Sequence, residues 1–129
     1  MSLKINEIFT KGYERVVHAT NEITKLDCII VIHNTKLGPA LGGVRSWSYN
    51  SFDEQKAEAL KLSEAMTLKN SICGINFGGG KAVLNLKDTK KTPELYQSYA
   101  EVVEALQGDY FTAGDVNTFK AVSYTNLTM

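Results

Sequence analysis

Two lysines stand in an otherwise uncharged stretch of this sequence. Residues 65–86 read AMTLKNSICGINFGGGKAVLNL, and Lys69 and Lys81 are the charged residues among them. Lysine is normally left in water, so this setting indicates either an anion-binding site or an amine kept partly neutral. Alternatively, each lysine lies at the end of an element and reaches the surface with its ammonium group. The pattern alone leaves both interpretations open.

The run of glycines from Gly78 to Gly80 does not form a nucleotide-binding fingerprint. A P-loop requires Gly-x4-Gly-Lys-Ser/Thr, but Ile75 stands five residues before Gly80, and the residue that follows the lysine is Ala82. A Rossmann fingerprint starting at Gly78 would place Val83 at its third glycine. We therefore expect no dinucleotide phosphate to bind at this run.

Three further features could contact a ligand or carry a proton. Gly42 and Gly43 let the main chain approach a ligand closely, although a bulge or tight turn also explains the pair. Asp115 follows a predicted strand, and such acidic groups often point into a crevice, although a solvated loop is the simpler reading. His18 and His33 have no nucleophile motif nearby, so we expect both to be structural.

Length and composition limit the possible function classes. The 129 residues correspond to one domain, 1–129, without an internal linker. Fourteen basic and fourteen acidic residues leave no net charge, so neither nucleic acid nor an anionic membrane is predicted as a partner. We expect neither a signal peptide nor a transmembrane segment, because MSLKINEIF lacks an apolar core and the longest apolar run, Cys28 to Ile32, is too short to span a bilayer. The two cysteines form no metal-binding pattern. Cys28 and Cys73 lie in apolar runs, so we expect reduced core thiols in a cytoplasmic protein.

The elements that must position these residues follow from the hydrophobic pattern. Helix signals are clearest at Ser51, where Glu54 completes a capping box, and at Thr92-Pro93. The first helix is expected to carry Lys69 near its C-terminal end, on one face with Ala59, Leu62 and Ala65/Met66. The second helix ends at Gly108. Strands are predicted at Tyr13–Ala19 and Leu26–His33 as a hairpin, at Gly43–Tyr49, within Cys73–Leu86, and at Tyr110–Ala113.

This order of elements predicts a single open α/β domain with a mixed β-sheet flanked by helices. Residues 116–129 show no convincing period and are assigned no structure.

Four segments, read in order, are specific enough to suggest a family: HNTKLGPALGGVRSW, LSEAMTLKN, GINFGGGKAVLN and YFTAGDVNT. Together they resemble the N-terminal domain of the Glu/Leu/Phe/Val dehydrogenase family, with the leucine dehydrogenase branch most similar. The resemblance covers Val16 to Thr118.

The resemblance implies NAD(P)-dependent oxidative deamination of an L-amino acid to a 2-oxo acid and ammonia. Lys69 would then hold the substrate carboxylate, with the Gly42-Gly43 backbone beside it. Lys81 would be the catalytic lysine that activates water, and Asp115 would transfer a proton near the amino group. A base of this kind needs an amine that loses its proton readily, and burial beside a second ammonium favours the neutral form.

The family pattern also implies an apolar pocket for the substrate side chain. Leu41, Met66 and Ala113 would line part of it, which favours an aliphatic or aromatic amino acid over glutamate. Gly114 and Val44 stand where the leucine branch usually has Glu and Thr, so the resemblance does not fix which amino acid is used.

The chain should end where the dinucleotide-binding domain of the family begins. We therefore expect the 129-residue chain to hold neither NAD nor NADP and to be inactive alone. The domain supplies much of the oligomer interface in the family, so a homo-oligomer is expected. Two other functions fit the residues: a non-catalytic assembly module, and a carboxylate-binding domain without catalysis.

Overall fold

Six strands and two helices make up the part of the chain that the computed structural model describes, residues 2–87 and 90–113. In chain order they are β1 (Leu3–Glu7), β2 (Arg15–Asn21), β3 (Leu26–Asn34), β4 (Ala40–Trp47), α1 (Phe52–Ile72), β5 (Gly78–Asn85), α2 (Pro93–Ala105) and β6 (Tyr110–Ala113). The strands and helices predicted from the sequence are all present, within a few residues of the predicted bounds. Strand β1 was missed because four of its five residues are exposed, which leaves a weak hydrophobic signal.

All these strands belong to one mixed sheet with the order β1-β2-β3-β5-β4-β6. Antiparallel pairing joins β1 to β2, β2 to β3 and β3 to β5, whereas β4 pairs in parallel with both β5 and β6. The parallel pair β4 and β5 is joined through α1, as a parallel connection requires. The predicted mixed sheet flanked by helices is confirmed.

Each face of the sheet is covered by one helix. On the α2 face, the helix buries Leu95, Tyr99, Val102 and Val103 against inward-facing strand residues, as its apolar period predicted. On the α1 face, a smaller apolar cluster forms from Val16, Ile29, Val31, Tyr49, Ala59 and Val83. The two clusters alternate along each strand, so the cluster to which a strand residue belongs identifies its face.

Helix α1 begins as predicted but packs differently. The Ser51 hydroxyl accepts a hydrogen bond from the Glu54 N–H at 3.1 Å, which confirms the N-cap. The predicted apolar face is wrong at Ala65 and Lys69, because both are exposed. The residues that α1 buries are Gln55, Ala59, Ser63 and Asn70. A helix held largely by buried polar side chains cannot be recognised from an apolar stripe.

The two cysteines have different environments. Cys28 is buried in β3, and that burial raises the pKa of its thiol. Cys73 is the C-cap residue of α1 and is exposed, so the expected core position is wrong for this residue. The apolar run around Cys73 is the end of a helix rather than a buried strand. No helix in the described part of the chain is long and apolar enough to cross a bilayer.

Candidate functional site

Gly42 and Gly43 lie inside strand β4, between β5 and β6, and therefore form neither a bulge nor a turn. A Cβ atom added at Gly42 would lie 1.7 Å from the carbonyl oxygen of Gly80, so a larger residue would separate β4 from β5. From the α2 face, the Tyr110 hydroxyl lies 3.0 Å from each carbonyl oxygen of the pair. The main chain of the pair is therefore held in a fixed position.

The glycine run forms the beginning of β5. A Cβ atom added at Gly79 would lie 2.1 Å from both the backbone nitrogen and the hydroxyl of Thr67 in α1. One added at Gly80 would lie 2.9 Å from the ring of Tyr110. These glycines allow close packing of β5 against its neighbours. Because the run continues as a strand to Asn85, it lacks the helix N-terminus that phosphate-binding glycine motifs use.

Lys81 is a buried lysine in the middle of the sheet. Its relative exposure is 7%, and it pairs in register with Val31 of β3. Val31 and Val83 both belong to the cluster beneath α1, so strand alternation places Lys81 on the α1 face. The alternative in which this lysine reaches water from an element end is therefore wrong. Lysine is rarely buried to this degree, which makes Lys81 a candidate functional residue.

Lys69 has the opposite environment. It lies in the last turn of α1 and is exposed, which is the end-of-element position that the sequence left open. Its carbonyl oxygen accepts a hydrogen bond from the Cys73 N–H at 3.0 Å, so the backbone at Lys69 is part of the helix end. Met66, one turn earlier, is half-buried. The structure thus offers one exposed cation and one buried amine, not two equivalent lysines.

The helix and strand run in opposite directions beneath this region. Gln55, near the start of α1, lies over Val83, whereas Asn70, near its end, lies over Gly78. Lys69 therefore lies beside the start of β5, and Lys81 follows three residues further along the strand. At about 3.3 Å per residue, this offset is about 10 Å along β5.

Asn70 is the residue that connects these elements, and sequence reasoning missed it. Its side chain is buried, with 3% exposure, and its amide nitrogen donates to the carbonyl oxygens of Leu41 at 3.2 Å and Gly78 at 2.7 Å. One carboxamide therefore joins the end of α1 to both β4 and β5. The signal that the sequence offered was the position of Asn70 directly after Lys69 in MTLKN. An uncharged polar residue at that position does not by itself predict a role.

A half-buried apolar surface lies next to the glycine pair. Leu41 pairs in register with Phe111 of β6, and the ring of Phe111 lies 5.9 Å from that of Phe77 in an edge contact. Leu41 shares its strand face with Arg45, whose guanidinium contacts Glu58 of α1, so this surface is on the α1 side. Phe77 and Phe111 were not predicted.

The remaining predicted site residues are only partly described. Ala113 ends β6 and pairs in register with Gly43. Asp115 lies outside the described residues, so its predicted role stays a prediction.

The two histidines have polar partners of their own. His18 lies 2.9 Å from a carboxylate oxygen of Asp27, and His33 lies 2.7 Å from the Thr67 hydroxyl. Within residues 2–87 and 90–113, no cluster of three His, Cys, Asp or Glu side chains could hold a metal ion. The histidines thus contribute to packing at both ends of the α1 face.

A family model matches almost the whole chain. The model described as Glu/Leu/Phe/Val dehydrogenase, dimerisation domain, matches residues 9–124. The match begins before Val16 and extends six residues past Thr118, which were the bounds of the resemblance in the sequence. The segment after Thr118 therefore follows the family further than expected.

Curated relatives include two kinds of amino-acid dehydrogenase. Leucine dehydrogenase of Geobacillus stearothermophilus is 43% identical over 110 residues, which cover 84% of this chain and 30% of that enzyme. Phenylalanine dehydrogenase of Lysinibacillus sphaericus is 41% identical over 115 residues, covering 87% of this chain and 30% of that enzyme. The chain thus spans about 30% of the length of these relatives. Their similar identities do not separate a leucine from a phenylalanine enzyme.

Solved structures give the same picture. The L-tryptophan dehydrogenase from Nostoc punctiforme superposes with a TM-score of 0.83 at 35% identity, over 91% of this chain and 35% of that one. A hetero-hexameric glutamate dehydrogenase from Thermus thermophilus shares the fold, with a TM-score of 0.66 at 19% identity over 98% of this chain and 29% of that one.

Proposed function

Because the chain belongs to the Glu/Leu/Phe/Val dehydrogenase family, we propose that it forms the substrate-binding and catalytic domain of an NAD(P)-dependent amino-acid dehydrogenase. The reaction is the reversible oxidative deamination of an apolar L-amino acid to the 2-oxo acid and ammonia. Since the chain spans about 30% of its curated relatives, the activity is assigned to a longer enzyme that contains it.

The observation that carries this proposal is the burial of Lys81 beneath the helix that presents Lys69. An exposed ammonium at the open end of the site suits a carboxylate that arrives from water. A buried amine deeper in the site suits proton transfer, because its position is fixed and enclosed by the sheet and α1. The contrast between the two lysines matches the two ends of an amino acid.

In the proposed reaction Lys69 binds the α-carboxylate, and the glycine pair lets the main chain of β4 lie close to the substrate. Lys81 accepts a proton from a water molecule as the oxygen of that water attacks the imino carbon. Asp115, by family resemblance, would exchange a proton with the substrate nitrogen. Burial in the sheet holds Lys81 at a fixed position, which general acid–base catalysis requires.

The substrate side chain is proposed to be apolar. Leu41, Met66 and Ala113 would line its pocket, and Phe77 and Phe111 extend the same surface. Because these five residues are all apolar, an aliphatic or aromatic side chain fits this surface better than a second carboxylate.

A nicotinamide cofactor does not fit the glycine run, because these residues begin a paired strand that continues to Asn85, and no helix starts directly after the glycines. NAD or NADP is therefore assigned to the part of the longer enzyme that this chain does not include. When bound there, it would accept the hydride that leaves the substrate α-carbon, while the residues of this chain would bind the carboxylate and transfer protons.

A chimera tests the proposed function. The 129-residue chain would replace the matching segment of the Geobacillus stearothermophilus leucine dehydrogenase, with which it shares 43% identity. We expect reductive amination of 4-methyl-2-oxopentanoate by the chimera, and none by the 129-residue chain alone. Lys81→Ala should abolish the chimera's activity, whereas Lys61→Ala, at an exposed lysine of α1, should leave it unchanged. A folded chimera without activity, or one that tolerates Lys81→Ala, would contradict the proposal.

A second candidate function, assembly, is favoured by the N-terminal region. Strand β1 lies at the edge of the sheet, and Ile5 and Phe9 are 39% and 92% exposed. A sheet edge with apolar residues beside it is a surface that a second copy can cover. We propose a homo-oligomer on this basis. We also propose a cytoplasmic location, because buried Cys28 takes part in no disulfide. Light scattering that shows a monomer at high concentration, for wild type and for Phe9→Ser alike, would count against assembly.

A further inference from the structure

Helix α1 is fastened to the sheet by a buried carboxamide near each end. Near its start, the Gln55 amide nitrogen donates to the carbonyl oxygens of Val83 at 3.1 Å and Asp27 at 3.3 Å. Near its end, the Asn70 amide nitrogen donates to the carbonyl oxygens of Leu41 and Gly78. The two residues are 15 positions apart, about 22 Å along the helix. They are chemically alike and equally enclosed, but the strands they hold carry different groups.

The Gln55 contact lies at the end of α1 away from Lys69, although its partner Val83 follows Lys81 by two residues in β5. It joins α1 to β3 and to the far half of β5, where Val83 belongs to the apolar cluster beneath the helix. Loss of this contact would loosen the helix start while leaving Lys69, 14 residues further along α1, held by Asn70.

The Asn70 contact, in contrast, joins three parts of the candidate site. Asn70 follows Lys69 directly, Leu41 precedes the glycine pair, and Gly78 begins the strand that carries Lys81. The helix cannot change its distance from either strand without breaking one of the two hydrogen bonds. A buried carbonyl oxygen that loses its donor is costly, so the arrangement resists such movement.

We propose that Asn70 is a positioning residue that fixes Lys69 relative to the Gly42-Gly43 backbone and Lys81. It does so by donating one buried amide group to both β4 and β5. The inference rests on the proposed function for the identity of the ligand, but the hydrogen bonds exist without one. Asn70 itself holds the frame and takes no part in proton transfer.

The test compares Asn70→Ala with Gln55→Ala, each of which removes a buried carboxamide from the same helix. Binding of 4-methyl-2-oxopentanoate to the 129-residue chain is followed by amide NMR shifts. Both variants should lose stability in urea unfolding. Asn70→Ala should raise the Kd at least tenfold, and Gln55→Ala should change it less than twofold. Equal weakening by both variants, or unchanged binding by Asn70→Ala, would overturn the inference.

Two further measurements test the role of Asn70 if wild type does not bind the ligand or if Asn70→Ala does not fold. If wild type binds no 2-oxo acid, the proposed function fails. Ligand-free shifts are then compared, and Asn70→Ala should change those of Gly42 and Gly79 while Gln55→Ala should not. If Asn70→Ala does not fold, hydrogen exchange of the Asn70 side-chain amide is measured in wild type instead. Slow hydrogen exchange supports the hydrogen bonds, and exchange at the rate of an exposed amide refutes them.

Discussion

Replacing Gly79 by alanine should push α1 away from the site. The new Cβ would lie 2.1 Å from the Thr67 nitrogen, whereas ordinary contact begins at 3.4 Å. The helix must therefore withdraw by about 1.3 Å, the difference between the two distances, since the obstructing atoms include the helix backbone. A direct withdrawal of that size would lengthen the Asn70 bond to Gly78 from 2.7 Å to about 4.0 Å, beyond hydrogen-bond range.

The expected loss of stability has two parts. Forcing an extra carbon into a packed interior costs about 1–3 kcal/mol, and a lost hydrogen bond to a buried carbonyl adds about 1 kcal/mol. The sum of about 2–4 kcal/mol is a large fraction of the 5–15 kcal/mol that is typical for a domain. Because a misplacement of about 1 Å can greatly weaken a positioned contact, binding of the 2-oxo acid should weaken at least tenfold.

Equilibrium unfolding in urea and NMR titration measure the two effects. Gly12→Ala is the control, because nothing lies within 4 Å of its added Cβ and its φ of +89° costs about 1–2 kcal/mol by strain alone. This control should be destabilised without any change in binding. If Gly79→Ala is less destabilised than the control and binds like wild type, then the close approach of α1 to β5 does not hold the site.

Three further predictions concern single side chains. Lys69→Ala should weaken 2-oxo acid binding at least tenfold in NMR titration. Because Lys69 is exposed, the same change should alter the unfolding free energy by less than about 0.5 kcal/mol. The control Lys61→Ala should change neither binding nor stability. Ser51→Ala should cost about 1 kcal/mol in urea unfolding, since it removes the N-cap of α1. Burial and the hydrogen bond to Glu64 raise the pKa of Tyr13 to about 12, so Tyr13 stabilises the fold below about pH 10 and loses this effect as the pH rises to 12. Ultraviolet titration should show a tyrosine near 12 that shifts lower in Glu64→Gln.

The fold was largely predictable because local signals and packing agree. The N-caps at Ser51 and Thr92 and the apolar period of α2 each predict what the structure contains. The missed strand β1 and the wrong face of α1 have a common cause. Strand β1 is held by backbone pairing, and α1 is held by buried carboxamides such as that of Gln55. Neither kind of contact leaves an apolar pattern in the sequence.

The site was predictable in composition but not in arrangement. An uncharged stretch identified Lys69 and Lys81, but it could not show that one is exposed and the other buried. That difference depends on the opposite directions of α1 and β5, which arise from tertiary packing. Asn70 was missed for the same reason, since both of its partners are backbone carbonyls distant in the sequence or across a turn.

The most direct test of the account is a residue-resolved NMR titration of the 129-residue chain with 4-methyl-2-oxopentanoate. Trp47 fluorescence is a poor substitute, because Trp47 lies four residues beyond Gly43, about 13 Å along β4. We expect saturable shifts centred on Gly42, Gly43, Lys69 and Lys81, and their loss in Lys69→Ala. Shifts centred elsewhere, or a full set of shifts in Lys69→Ala, would contradict the claim that these residues form the substrate site.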